Sequence, residues 1–373
     1  MKLMTASAMV LVVAGHLDNG TVGLSGPFDL FEPYSYHVAA FVFVSGYFYK
    51  PYCEANPAHY IVRKLRRFMV PLYLISFVYG FVWAFARMSV GVSNVSLPTI
   101  ANLLVDPILS GHQYRLTTAM WFLTPLFCAE VFNVLCRIVL GRIWWASDTL
   151  RESVLFAVYM LLGAVAITIG GESGLKAGWL LLVCRTLFFI SCFGMGRFYA
   201  SVLEKHDRIR STWYFSFVLL ARMATTIAFG NKGTYTASWC KFPNGIVGTY
   251  VVTILGIAFL LRVCKLLGPV LGRGKAILSV ADNSFSIMCH HMFAFFIVNS
   301  VIYAISIHGH LFESFDYDAF VSNYKYAYAV RGCPQFDLVY IAFAIAFSIA
   351  IHRVWEWIKF WMRRLVKNGK LVR

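Results

Sequence analysis

The sequence has few charged residues. Asp, Glu, Lys and Arg make up 13% of its 373 residues, whereas a soluble domain carries about 25%. Acidic residues are especially scarce, with 17 Asp and Glu against 33 Lys and Arg, and hydrophobic residues reach 59%. This composition excludes an ordinary soluble globular protein and indicates a polytopic membrane protein. No cleavable signal peptide is expected, because the first apolar run lacks an A-x-A-like cleavage site.

The sequence also lacks the usual signs of domain boundaries and metal sites. It has no Pro/Gly/Ser-rich linker and no convincing internal repeat. We therefore predict one membrane domain over residues 1–360, followed by a short basic cytoplasmic tail over 361–373. The nine cysteines form no C-x-x-C pair and no Cys/His metal spacing, so no metal is expected. Cys240 and Cys333 fall in loops predicted to face outward, which leaves a disulfide between them open.

Apolar segments recur along the chain at nearly the length of about 20 residues that a spanning helix needs. The sequence predicts an all-α bundle of about ten transmembrane helices, near 2–17, 34–49, 68–90, 119–140, 152–170, 178–200, 212–230, 245–264, 283–306 and 336–360. On this segmentation, 24 of the 33 Lys and Arg lie on one side. Basic loops stay cytoplasmic, so both termini are predicted to be cytoplasmic. The positive charge thus reflects topology in a lipid membrane, and no nucleic-acid partner is expected.

Two histidines lie at a similar predicted depth. His16 ends the first apolar run about 22 Å from its start, toward the outer side, and a polar turn containing Asp18 and Asn19 follows it. His37 opens the second run. Imidazole titrates near neutrality and can take a proton from a hydroxyl. The alternative for His16 is a histidine that snorkels at the outer interface, and the alternative for His37 is a hydrogen-bonded interface histidine. The sequence leaves these alternatives open.

Four basic residues crowd the predicted cytoplasmic entrance of the third span. They are Arg63, Lys64, Arg66 and Arg67 in IVRKLRRFMVPLY. Ordinary positive-inside anchoring explains such a cluster. The functional alternative is a phosphate clamp, since Arg63 and Arg67 share one face of a helix and can fork one phosphoryl group.

Ionisable residues inside spans are costly and are therefore functional candidates. Arg185 is flanked by apolar residues on both sides, so it needs a buried partner such as Glu130, or an anionic ligand; both remain open. Arg222 is similar but less deeply placed. His290 and His291 are consecutive and point about 100° apart on a helix, so only one can face a common site.

Six segments in order resemble the acyltransferase-3 family of integral membrane acyltransferases, and most closely its bacterial polysaccharide O-acetyltransferases and fucose-4-O-acetylase-like proteins. They are LVVAGH, YHVAAFVFVSGYFY, the Arg63–Arg67 pair with VPLY, AMWFLTPLF, RTLFFISCFGMGRFY and NSFSIMCHHMF. Each motif is weak alone, but together they cover nearly the whole chain.

The resemblance implies roles for particular residues. His16 matches the histidine regarded as catalytic, and His37 matches the histidine of the phenylalanine-rich second span. The arginine pattern implicated in acyl-CoA binding falls on Arg63 and Arg67, and the later histidine motif falls on His291 rather than His290. One position departs from the pattern: Thr5 stands where the family often has Arg or Lys, and the nearest basic residue is Lys2.

The resemblance and the charges together predict an O-acetyltransferase of the bacterial plasma membrane. Acetyl-CoA would dock at the four basic residues, and His16 would deprotonate a glycan hydroxyl or carry the acetyl group itself. The acceptor would be a cell-surface or exported polysaccharide. Candidates for contact with substrate or oxyanion are Arg185, Glu130, His291, Trp239, Asp18 and Asn19. A secondary transporter or glycan exporter with buried coupling residues is the competing class, and the oligomeric state is not predicted.

Overall fold

The computed structural model describes residues 1–17, 30–89, 97–112, 114–143, 145–230, 233–309, 311–312, 314–323, 326–330 and 333–370, with backbone alone at 334 and 365–370. Within these residues all regular secondary structure is helical, apart from two isolated β-bridges. The predicted all-α class is therefore confirmed. Asp18 and Asn19 lie outside the described residues.

Each of the ten predicted apolar segments overlaps one long or apolar helix, and the third helix begins eleven residues before its predicted segment. These are α1 (Lys2–Ala14), α2 (His37–Tyr47), α3 (Pro57–Ser89), α4 (Leu123–Leu140), α5 (Asp148–Gly170), α6 (Trp179–Phe198), α7 (Ser211–Phe229), α8 (Gly245–Leu271), α9 (Ser284–Gly309) and α10 (Asp337–Lys370). A 3₁₀ segment, Arg115–Phe122, leads directly into α4. Shorter helices are Tyr52–Ala55, Ile100–Leu104, Asp106–Leu109, Lys275–Asp282 and Tyr317–Ser322.

Helices α1 and α2 differ from the other eight in length. In the described chain, eight helices are long and apolar enough to cross a membrane, whereas α1 has 13 residues and α2 has 11. At 1.5 Å per residue, α1 is about 20 Å long, less than the roughly 30 Å of a bilayer core. Both helices are buried along much of their length, with Met4, Ala8, Ala39 and Val42 fully inaccessible. The two short helices therefore lie inside the bundle.

Glycines bring α2 against α6. A Cβ placed on Gly46 would lie 2.0 Å from the carbonyl oxygen of Phe193, and one on Gly196 would lie 1.9 Å from that of Phe43. Small residues at a crossing let two helix backbones approach closely in a membrane protein. The crossing fixes α2, and with it the face that carries His37.

Helices α4 and α5 are joined by a buried ion pair. The Arg137 guanidinium donates two hydrogen bonds of 2.8 Å to the Glu152 carboxylate, and Arg197 of α6 lies 3.3 Å from the same carboxylate. The amide oxygen of Asn133 accepts a further bond from Arg137. Because buried charges must be paired, this cluster satisfies three charged groups on three helices at once.

Candidate functional site

Two cavities of similar size lie within the bundle. The first, here called the histidine cavity, has a volume of about 500 Å³ and is lined by residues that include Met9, Val12, His16, Tyr34, His37, Phe41, His112, Arg115, Trp121, Phe122, Tyr235, Trp239 and Met288. The second, the arginine cavity, has a volume of about 490 Å³ and is lined by residues that include Lys2, Thr5, Phe41, Lys50, Tyr60, Arg63, Lys64, Arg67, Phe122, Glu130 and Met288.

One face of α1 forms a wall of both cavities. Lys2 and Thr5 line the arginine cavity, while Met9, Val12 and His16 line the histidine cavity. Their spacing of three and four residues keeps all five side chains on one face of a helix. Lys2 and His16 are separated by about 21 Å along the axis. The short helix α1 therefore extends from the arginine cavity to His16 in the histidine cavity.

His16 and His37 are oriented in the same way, each by the backbone carbonyl four residues earlier in the chain. The Nδ1 atom of His16 lies 2.7 Å from the Val12 carbonyl oxygen, and the Nδ1 atom of His37 lies 2.5 Å from the Pro33 carbonyl oxygen. A carbonyl oxygen only accepts, so Nδ1 carries the proton in each neutral ring. Nε2 is therefore the basic nitrogen of both rings, which suits each of them to accept a proton from a hydroxyl.

His291 lies beside His16. The two ring centroids are 5.0 Å apart at an edge-on angle of 63°, and the Nδ1 atom of His291 is 2.9 Å from the Ile287 carbonyl oxygen. His290 points elsewhere, to a 2.6 Å hydrogen bond with the Tyr79 hydroxyl. His291 therefore packs beside His16, which lines the same cavity as His37, while His290 points away, as the 100° spacing predicted.

An aromatic stack forms another wall of the histidine cavity. The His112 ring lies between Trp239, 4.3 Å away at 26°, and Trp121, 6.2 Å away at 27°. Burial, and secondarily the positive charge of Arg185, lowers the pKa of His112 to about 3. His112 is therefore neutral at physiological pH.

Sequence reasoning pointed to Trp239 but missed His112 and Trp121. His112 belongs to an irregular segment where hydrophobic periodicity carries no information. The nearest signal is Gly111, whose φ of 72° favours glycine and at which a Cβ would lie 2.5 Å from the Trp121 Cα.

Arg185 does not pair with Glu130, so that interpretation was wrong. Its guanidinium donates to two backbone carbonyl oxygens, that of Ser238 at 2.8 Å and that of Ser110 at 2.9 Å. It also lies 4.9 Å from the Trp121 ring centroid and 5.9 Å from that of Trp239. Within the described part of the chain, no carboxylate forms an ion pair with it. Arg185 does not line the histidine cavity itself. Its hydrogen bonds hold the two segments that carry His112 and Trp239.

Glu130 belongs to the arginine cavity instead. Its carboxylate lies 2.6 Å from the Lys64 ammonium and 3.4 Å from the Tyr60 hydroxyl. The sequence could not predict this contact, because it joins two helices that are far apart in the chain. The positive charge of Lys64 is therefore already balanced within the protein.

Three of the four predicted basic residues of α3 line the arginine cavity. Arg63, Lys64 and Arg67 do so, whereas Arg66 is exposed outside it. The reason is geometric, since at about 100° per residue Arg66 projects roughly 160° away from Lys64. Over the residues that the structure describes, five basic side chains and one carboxylate line this cavity. Its strong positive balance suits a polyanionic ligand.

Three apolar side chains, Phe41, Phe122 and Met288, line both cavities in the described structure. They are called the apolar septum below. Phe41 comes from α2, Phe122 from the 3₁₀ segment before α4, and Met288 from α9. The arginine cavity and the histidine cavity therefore adjoin. In the described residues, these three apolar side chains are the lining that the two cavities share.

The remaining candidates are peripheral to the two cavities. Arg222 is buried, and its Nε donates a 2.6 Å hydrogen bond to the Leu30 carbonyl oxygen. Cys240 and Cys333 are free thiols in the structure, and burial raises the pKa of the Cys240 thiol to about 12. A thiol with such a pKa is unreactive at neutral pH.

The fold and the site define a polytopic helical membrane protein with a cation-lined cavity beside a histidine-lined one. The sequence model of the acyltransferase-3 family, described as "Acyltransferase domain", matches residues 3–353. The chain belongs to this family and is a membrane acyltransferase, which confirms the resemblance drawn from the motifs. No curated protein matched the chain, and no solved structure did. Family membership favours an acyltransferase over the competing transporter or exporter class.

Proposed function

We propose that this acyltransferase moves an acetyl group from cytoplasmic acetyl-CoA to a hydroxyl of a cell-surface or exported polysaccharide, in the plasma membrane of a bacterium. One observation carries the proposal. A cavity suited to a polyanion and a cavity with two basic imidazole nitrogens adjoin across a septum of three side chains. A phosphate-bearing donor and a neutral hydroxyl acceptor then have separate places within reach of one another.

The donor's phosphates bind in the arginine cavity. Arg63 and Arg67 lie one helical turn apart and both line it, which allows forked contacts to phosphate oxygens. Lys64 is balanced by Glu130 and contributes less net charge. Lys2 lies one turn before Thr5 on the same face of α1, but its ammonium forms an ion pair with Asp282, so it also contributes less net charge than the two arginines.

The acceptor hydroxyl binds in the histidine cavity. The Trp239–His112–Trp121 stack offers aromatic surface for the apolar C–H faces of a sugar ring, and Arg185 fixes its position through the Ser110 and Ser238 carbonyls. Asp18 and Asn19 remain candidates for contact with this acceptor. The thioester of the donor and the hydroxyl of the acceptor would then meet near the septum.

His16 is the proposed general base. Its Nε2 takes the hydroxyl proton while the hydroxyl oxygen attacks the thioester carbonyl carbon. The tetrahedral intermediate collapses as the C–S bond breaks, and the sulfur of CoA takes the proton from Nε2, which yields the ester and free CoA. Such proton transfer typically contributes 10²–10⁴-fold. His37, oriented like His16 in the same cavity, positions the hydroxyl.

The test uses purified protein in lipid nanodiscs, radiolabelled acetyl-CoA and surface polysaccharide. We expect His16→Ala and the double variant Arg63→Ala/Arg67→Ala to lose transfer of label. Arg66→Ala is the control on the same helix, because it removes one positive charge outside the cavity; it should keep wild-type transfer. Normal transfer by folded His16→Ala would contradict the proposal.

A further inference from the structure

The apolar septum stands between the groups that the proposed reaction must connect. The donor's phosphates bind with Arg63 and Arg67, but the basic nitrogen of His16 lies in the other cavity. The thioester must therefore pass Phe41, Phe122 and Met288. Phe122 is 7% exposed and Met288 is 3% exposed, and the Phe41 and Phe122 rings meet edge to face at 5.5 Å. Two of the three septum side chains are thus nearly buried, and its two rings are in contact.

The three side chains differ in their freedom to move. Phe122 is braced from behind by the fully buried Phe189 ring, 6.1 Å away. Met288 is unbranched and has three rotatable bonds, which makes methionine the most adaptable apolar side chain. Its helix position, one turn before His291, places it beside the reacting centre. Met288 is therefore the side chain that yields when a ligand enters.

A narrow apolar passage discriminates by width and polarity. A linear acyl chain is no wider than the methylene-rich pantetheine arm that follows it, whereas an aromatic or branched acyl group is wider. A carboxylate at the end of an acyl group would lose its hydration among three apolar side chains, at a large cost. Hydrophobic constrictions also exclude water when they are empty.

We propose that the septum of Phe41, Phe122 and Met288 is a constriction that the acyl-pantetheine arm parts, so that it admits neutral, unbranched acyl groups and closes against water in their absence. This inference rests on the proposed function and goes beyond it, since it assigns acyl selection to three residues other than the arginines. Selection at this point acts on the width of the acyl group and not on its length.

The first experiment widens the septum with Met288→Ala and with Phe41→Ala. Thiol release is measured from acetyl-, butyryl-, benzoyl- and succinyl-CoA, each with and without acceptor. Wild type should use acetyl- and butyryl-CoA and reject the other two. Each variant should raise the use of benzoyl-CoA relative to acetyl-CoA by about tenfold or more and should increase acceptor-free hydrolysis of acetyl-CoA.

The second experiment closes the septum with Met288→Trp. We expect acetyl transfer to be lost while adenosine 3′,5′-bisphosphate, a probe for the arginine cavity, still binds, because Arg63 and Arg67 are unchanged. Met292→Ala and Met292→Trp are the matched controls. Met292 lies one turn further along α9 with the same 3% exposure and lines neither cavity, so it reports the cost of disturbing the core alone.

The outcomes separate this inference from the proposed function. If wild type does not consume acetyl-CoA, the proposed function fails. If wild type is active but Met288→Ala and Phe41→Ala keep its acyl selectivity and its low hydrolysis, the septum inference is overturned while the function stands. Transfer by folded Met288→Trp at the wild-type rate would also overturn it, as would identical effects from the Met292 controls.

Discussion

The histidine cavity and the arginine cavity have nearly equal volumes, about 500 and 490 Å³, but they differ in chemistry. Over the described residues, five basic side chains and Glu130 line the arginine cavity, whereas Arg115 is the one Lys, Arg, Asp or Glu that lines the histidine cavity. Even Arg115 is occupied, because it donates to the carbonyl oxygens of Phe320 and Asn323. This difference supports the proposal that the charged cavity binds the donor, while the cavity with ring stacking and imidazole nitrogens binds the acceptor.

The largest expected effect comes from substitution of His16, which changes the histidine cavity and leaves the arginine cavity intact. His16→Ala should lower kcat for acetyl transfer by about 10²–10⁴-fold, because a positioned general base contributes that much. Binding of adenosine 3′,5′-bisphosphate should stay at the wild-type level, since the arginine cavity is unchanged. His290→Ala is the neighbouring control, as that ring faces Tyr79. Loss of nucleotide binding in His16→Ala would contradict the separation of the two cavities.

The arginines should give the next largest effect, of a different kind. Arg63→Ala and Arg67→Ala should each raise KM for acetyl-CoA by about 10–100-fold with a smaller change in kcat, because each charge-assisted contact contributes roughly 1.5–3 kcal/mol. The KM of wild type should also rise with salt, and that dependence should weaken in each variant. Initial rates at several KCl concentrations measure both. An unchanged KM would remove the arginine cavity from donor binding.

Arg185 should have an intermediate effect that distinguishes positioning from direct catalysis. Arg185→Lys keeps a positive charge but cannot reach the carbonyls of Ser110 and Ser238 with the same fork. We expect KM for the acceptor to rise by about tenfold, the order of one or two lost hydrogen bonds, with a changed tryptophan fluorescence from the displaced stack. A fall in kcat alone, with unchanged fluorescence, would instead support oxyanion stabilisation by Arg185.

The smallest expected effect concerns stability and pH at His112. Burial, and secondarily Arg185, lowers its folded pKa from 6.5 to about 3, so below pH 6.5 the unfolded chain binds a proton that the folded chain does not. This residue therefore lowers the free energy of unfolding as pH falls from about 6.5 towards 3. His112→Phe keeps the stack and should flatten that part of the stability curve, which thermal unfolding at several pH values measures. An equal slope in both proteins would contradict the assignment.

Several features of the molecule could be predicted from the sequence because they depend on local periodicity. The ten apolar segments coincide with ten helices, and Arg63 and Arg67 share a face as their spacing required. The exclusion of Arg66 follows from the same geometry, but it needs the direction of the cavity to be known. Hydropathy could not distinguish a helix facing lipid from one enclosed by protein, so the interior position of the short α1 and α2 was not predictable.

Contacts between distant segments account for the rest. Glu130 meets Lys64 of another helix, and Arg185 meets carbonyls of two loops, Ser110 and Ser238. The carbonyl partners of Arg185 have no pattern in the sequence, because a backbone carbonyl exists at every residue. His112 was missed for the related reason that an irregular segment has no period to read.

Transfer across a sealed bilayer tests most directly the claim that donor and acceptor use separate cavities. Protein is reconstituted into liposomes in a single orientation, with polysaccharide trapped inside and radiolabelled acetyl-CoA added outside, on the side to which the arginine cavity opens. The account predicts labelled polysaccharide inside intact vesicles, and no labelling when the two substrates exchange sides. Transfer that occurs only when both substrates are on the same side would contradict it.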